Sequence, residues 1–130
     1  MKSLNQLKTF EGACKVEGLD PKTVIPNFSN FLKKDQASMI AHAKLVIIVR
    51  AANRLANGGE EWIPDFDNPN QYKYEAWLYK EKRGSSGFRF HGFGYWDSGS
   101  YVGSRLCFIS RDVAEYVVTN FNKLYNEYFL

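Results

Sequence analysis

Cysteine is scarce in this chain, with 2 residues, Cys14 and Cys107. They are far apart and form no CxxC pair, so neither a disulfide framework nor a zinc site is predicted, and reduced thiols in a cytoplasmic protein are the expectation. Long hydrophobic runs are also missing. The most apolar stretch, LVIIV at 45–49, sits between Lys44 and Arg50, and the start MKSLNQLKTF lacks an apolar signal core, so neither a membrane span nor a secretory leader is expected. Charge of one sign is nearly balanced: 17 basic residues face 14 acidic ones, for a formal net charge of +3. That balance permits nucleic-acid contact without arguing for it.

Catalytic signatures are absent as well. GSSG at 84–87 lacks the lysine and helix of a phosphate loop, and GFGYWD lacks the third glycine of a dinucleotide fingerprint. DFDNPN at 65–70 begins like a calcium loop. Pro69, Asn70 and Ala76 then stand where a ligand, the turn glycine and the bidentate glutamate belong, so Asx-turns explain it better. Cys107 with His91, or Cys14 with His42, offers no sign of an activated thiol, and Glu75, Asp97 and Glu115 do not form an acid–base pair. No metal or cofactor is expected.

What is present is a globular composition, 45% apolar and 24% charged, over a length that fits one domain across residues 1–130. Aromatics reach 16%, concentrated between Trp62 and Tyr101 and again at Tyr125, Tyr128 and Phe129. Ser3 with Gln6 reads as a capping box opening a helix over 4–17, which stops at Gly18. LDPKTVIPNFSNF is a proline-broken connector that packs Val24, Ile25 and Phe28 onto the body. Asp35 caps a long helix to Ala56 with one stripe at Met39, Ala43, Val46, Ile47 and Arg50, widened by Ile40, Leu45, Ile48 and Val49. NGGEEWIPDFDNPN follows as a loop.

From Tyr72 the period becomes two. YKYEAWLYK, FRFHGF and YVGSRLCFI read as three strands joined by EKRGSSG and WDSGS. Ser110 then caps a last helix striped by Val113, Tyr116, Val117, Phe121, Leu124, Tyr125 and Tyr128. The expected fold is α+β: a small three-stranded antiparallel meander packed against three helices.

Three strings, IAHAKLVIIVRAANRLANG, EWIPDFDNPNQYKYEAWLYK and VGSRLCFISRDVAEYVVTNFNKLYNEYFL, resemble a family of short uncharacterised proteins of gut anaerobic bacteria, their phages and mobile elements. The likeness covers roughly residues 1–130, with its most specific marks at Trp62, Pro64, Tyr74, Trp77 and Gly103–Phe108. Relatives often carry tryptophan at the position of Phe66, and their middle strands vary. The resemblance implies an accessory cytoplasmic protein of a phage or mobile element; it brings no activity and no site on FRFHGFGYW.

Strand alternation places Lys73, Glu75, Trp77 and Tyr79 on one face, opposite Tyr72, Tyr74, Ala76 and Leu78. With Arg89, His91 and Phe93 from the second strand and Arg105 from the third, that outer face has the chemistry of a base-stacking platform ringed by cations. Lys80, Lys82 and Arg83 in the following turn would grip a phosphate backbone. The competing account is that Trp77 and Tyr79 only cover the back of the sheet, since aromatics favour strands whatever their task. Gly92 and Gly94 also leave room for a bulge that reverses faces.

The expected function is therefore that of a binding module, with an enzyme of unknown type third, a reading that a concave pocket containing His91 or Cys107 with a strongly shifted pKa would revive. One version is a protein interface centred on Trp62, Phe66, Trp77 and Trp96, with another protein or a second copy as partner. The other is single-stranded nucleic-acid binding by the outer face and basic turn. The small net charge and the presence of Glu75 favour the protein interface.

Overall fold

The computed structural model describes residues 3–80 and 87–130. Four α-helices and a two-stranded sheet follow in the order α1 Phe10–Glu17, α2 Lys33–Ala56, β1 Lys73–Lys80, β2 Phe88–Trp96, α3 Arg111–Asn120 and α4 Asn122–Phe129. The mixed helix-and-strand class is as expected, with differences that have local causes.

Near the N-terminus the Ser3 hydroxyl caps nothing, and Leu4–Gln6 forms only a 3₁₀ turn. The helix starts later. Thr9 is its cap, its side chain accepting from the Gly12 N–H at 2.9 Å, which satisfies one of the first-turn amides left open by helix geometry. At the second helix Asp35 lies in the first turn and Leu32 occupies the cap position without a side-chain bond. The expected single C-terminal helix breaks at Phe121, whose φ of −118° and ψ of 28° end α3 and begin α4. Ser110 does cap α3, accepting from the Val113 N–H.

The buried side of α2 runs through Ala41, Leu45, Ile48 and Ala52, each fully buried. Of the predicted apolar surface, Leu45, Ile48 and Val49 are buried as expected, whereas Met39, Ala43, Val46 and Ile47 are half-buried and Ile40 and Arg50 are exposed. α1, α3 and α4 all pack on α2, and α3 also covers β1 and β2. Leu45 and Ile48 thus sit in one core with Val113, Val117 and Phe108, where each large aliphatic side chain contributes about 1.5–3 kcal/mol. The Glu17 carboxylate, 2.7 Å from Arg54 Nε, ties α1 to the end of α2.

β1 and β2 pair antiparallel from Lys73↔Trp96 to Lys80↔Phe88, with a bulge opposite Trp77 and Leu78. His91 is the extra residue. The bulge turns Phe93 onto the helix-facing side with Phe88 and Phe90, whereas alternation alone put it with Arg89 and His91. At the start of β2, Asn122 and Asn126 of α4 hold the Phe88 backbone: both donate to its carbonyl, and the Asn126 side-chain oxygen accepts its N–H.

The expected third strand over 101–109 is absent. A single bridge remains, Phe108 with Tyr74, and it lies on the edge of β1 away from β2 rather than beside β2 as a meander requires. Gly103, at φ of +80°, turns the chain, and the Leu106 N–H returns to the Gly103 carbonyl. Those backbone groups are then unavailable for a ladder. Asn53 supplies what a strand neighbour would have given. Its amide donates to the Cys107 carbonyl and accepts from the Ile109 N–H, each at 3.0 Å, so 107–109 is held by β1 on one side and α2 on the other.

Candidate functional site

The outer face of the sheet divides into a covered half and an open half. After Trp96 the chain folds back over the beginning of β1, and Lys73 and Glu75 receive it. Lys73 is fully buried, donating from Nζ to the carbonyls of Asp97 at 2.7 Å and Asn68 at 3.1 Å, with Nζ 5.3 Å from the Phe66 ring centre. Glu75 is 1% exposed. Its carboxylate accepts from Trp96 Nε1 at 3.1 Å, the Ser100 hydroxyl at 2.7 Å and the Tyr101 N–H at 3.1 Å. Charge-assisted bonds of this kind are the strong ones. Lys73, Phe66 and Trp96 were expected at a recognition surface. Lys73 and Trp96 contact the 97–101 segment instead, with the Phe66 ring against the Lys73 ammonium, and that segment removes the Glu75 charge from the outer face.

The open half begins at Trp77. A Cβ on Gly94 would lie 2.9 Å from Trp77 Cζ2 and 3.1 Å from Nε1, and one on Gly92 would lie 3.6 Å from Cε3. The indole therefore lies across both glycines of the neighbouring strand, covering backbone that has no side chain of its own. Its other face is turned outward, and the residue is 52% exposed. Next along β1, Tyr79 is 59% exposed and meets the His91 ring at 4.8 Å between centroids. The bulge thus serves the site, because the extra residue it inserts is the histidine that pairs with Tyr79.

Lys80 and Arg89 are exposed at the same end. Arg89 also borders a shallow cavity with Glu115 and Asn122 of α3 and α4. Lys82 and Arg83, expected in the basic turn, lie outside the described residues. Trp62 and Arg105 are brought together elsewhere, in a cavity of about 230 Å³ that also includes Arg50 and Glu61. Of the predicted aromatic cluster, Phe66 lies against Lys73 and Trp96 donates to Glu75 in the covered half, Trp77 begins the open half, and Trp62 lines this cavity.

Sequence reasoning passed over Gly92 and Gly94 as the bed of Trp77. The available signal was their two-residue spacing, which puts both on one face of a strand beside an aromatic strand. It also passed over Asn53, a polar residue within the apolar span of α2.

The thiols show no activation. Burial, then the Glu75 carboxylate, pushes the Cys107 thiol up to about 11 against a lowering from Lys73, and burial raises Cys14 too, with Glu11 and Asp20 adding to it. A protonated thiol is a poor nucleophile. Among the described residues no group of three or more His, Cys, Asp or Glu side chains is placed to hold a metal, and no helix is long and apolar enough to cross a membrane. No protein family, curated protein or solved structure matches this chain, so its own geometry carries the functional argument.

Proposed function

We propose that this protein is a binding module whose working surface is the open half of the outer sheet face, and that its ligand is a single nucleic-acid strand. The observation that carries this reading is the outward face of Trp77, its other face resting on Gly92 and Gly94. Tyr79 with His91 offers a second stacking position one step along. A base stacked on such a ring gains about 1–3 kcal/mol, with little sequence preference. Exposed cations flank these rings: Arg89 opposite Tyr79 on the same face, and Lys80 at the strand end, which alternation puts on the other face. Glu75, which as an exposed anion would repel a phosphate backbone, is withdrawn under the 97–101 segment.

Anisotropy of a labelled single-stranded oligonucleotide tests this. Two or three phosphate contacts give a log–log salt slope of about −1.5 to −2, so affinity falls roughly tenfold between 50 and 200 mM salt, with a duplex binding more weakly. Absence of binding at low salt overturns the reading. A second reading, a protein interface on the same patch, is favoured by the small net charge and by the mix of tryptophan, tyrosine and arginine that interface centres prefer. It predicts a mass that rises with concentration, or a partner held with little salt dependence. The resemblance to short proteins of phages and mobile elements supplies the setting in which either activity would operate.

A further inference from the structure

The cavity beside Trp62 is formed by α2 together with the segments at 61–64 and 104–105, and it shares no residue with the Trp77 patch. Its apolar lining includes Val49, buried, and Val46, Trp62 and Pro64, half-buried. Two exposed arginines line it as well, Arg50 from α2 and Arg105 from the chain just after Gly103. A cavity of about 150 Å³ takes benzene, so one of about 230 Å³ has room for a ring bearing a small charged group.

These groups are unsatisfied by the protein. Among the described residues the Arg50 side chain makes no ion pair or hydrogen bond, and the Arg105 guanidinium donates only to its neighbour, Nη1 to Ser104 Oγ at 3.3 Å. The Trp62 side chain likewise has no hydrogen bond or ring partner among the described residues. Glu61 adds one carboxylate to the lining, yet it is ion-paired with neither arginine; its field also bears on Arg54, whose guanidinium is held charged chiefly by Glu17. Two guanidinium groups therefore stand against one carboxylate. Guanidinium matches planar oxyanions through paired N–H bonds, and an indole face favours an offset-stacked ring. At the exposed arginines a bound oxyanion keeps part of its hydration, which spares it the cost of full burial. We propose that this cavity binds a small aromatic oxyanion, a flat ring bearing one carboxylate or phosphate, with the ring against Trp62 and the valines and the oxyanion held by Arg50 and Arg105. The site neither uses nor requires the sheet face.

Phenyl phosphate and benzoate are the probes, titrated by NMR on the full chain, with benzamide as the ring without charge and inorganic phosphate as the charge without ring. Both aromatic anions are expected to saturate at millimolar concentration or below, shifting the signals of Trp62 and Arg105. Each control should bind at least about tenfold more weakly than phenyl phosphate. Arg50→Gln and Arg105→Gln, at exposed positions, should each weaken phenyl phosphate about five- to tenfold, the scale of one partly screened charged hydrogen bond, with the melting temperature unchanged. Glu61→Gln should tighten it about twofold, because it removes the carboxylate from the lining. Trp77→Phe should leave it unaltered, which separates this site from the sheet face. The proposal is overturned if neither aromatic anion binds saturably, if inorganic phosphate binds as tightly as phenyl phosphate, or if both arginine variants bind like the parent. Shifts centred on Trp77 rather than Trp62, or binding lost in Trp77→Phe, equally overturn it.

Discussion

Replacing Glu75 by glutamine changes one atom and leaves the side-chain volume nearly constant, which makes it a clean probe of what closes half the sheet. The carboxylate receives three donors: Trp96 Nε1 on Oε2, and the Ser100 hydroxyl and Tyr101 N–H on Oε1. Glutamine offers one oxygen and one NH₂, so in either orientation at least one of these donors faces another donor. An unsatisfied buried donor costs about 1–3 kcal/mol, and the surviving bonds lose their charge assistance. Together these give a destabilisation of about 2–4 kcal/mol. With a urea m-value of about 1–3 kcal/mol/M for a small domain, the unfolding midpoint should fall by roughly 1–2 M with m unchanged. Ser100→Ala in the Glu75→Gln background should then cost much less than in the parent, since the bond it removes is already weakened. A loss below about 0.5 kcal/mol, the scale of an ordinary surface substitution, would refute the claim that this carboxylate holds the 97–101 segment.

Three further outcomes follow from the same geometry. Gly94→Ala drives a methyl to within 2.9 Å of the Trp77 ring and should tilt the indole off the strand, costing about 1–2 kcal/mol and altering Trp77 emission, whereas Gly92→Ala, at an ordinary 3.6 Å, should be milder. Asn53→Leu strands the Cys107 carbonyl and the Ile109 N–H, and chemical denaturation should show a loss of about 2–4 kcal/mol. For Cys107, whose thiol is raised from 9.0 to about 11, the unfolded chain loses its proton first. Its contribution is fully present below pH 9 and declines between about 9 and 11, by roughly 3 kcal/mol at the upper end. Cys107→Ala should flatten that decline in a pH series of unfolding curves, whatever it does to stability at neutral pH.

Much of the architecture was legible from pattern. Alternation placed β1 within a residue of its observed bounds and set Trp77 and Tyr79 on the exposed face, because side-chain direction in a strand depends only on parity. The Ser110 cap was readable for a similar reason, being a local bond between neighbours. What failed depended on distant partners. YVGSRLCFI alternates as a strand does, yet its conformation is decided by the turn at Gly103, by Asn53 more than fifty residues earlier and by Glu75 on another strand. Lys73 and Glu75 were assigned the correct side of the sheet. Nothing in their local pattern announced that a later loop would cover them. Exposed aromatic rings remain on the open half of the outer face, and the glycines beneath Trp77 become meaningful only once the register of β2 against β1 is known.

The central claim, that the outward face of Trp77 binds unpaired bases, is tested most directly by quenching of tryptophan emission with a short single-stranded oligonucleotide at 50 mM salt, comparing the parent with Trp77→Phe. The account predicts saturable quenching in the parent that weakens as salt rises and largely disappears in the variant while its unfolding curve is retained. Quenching that persists undiminished in Trp77→Phe, or none in the parent, would contradict it.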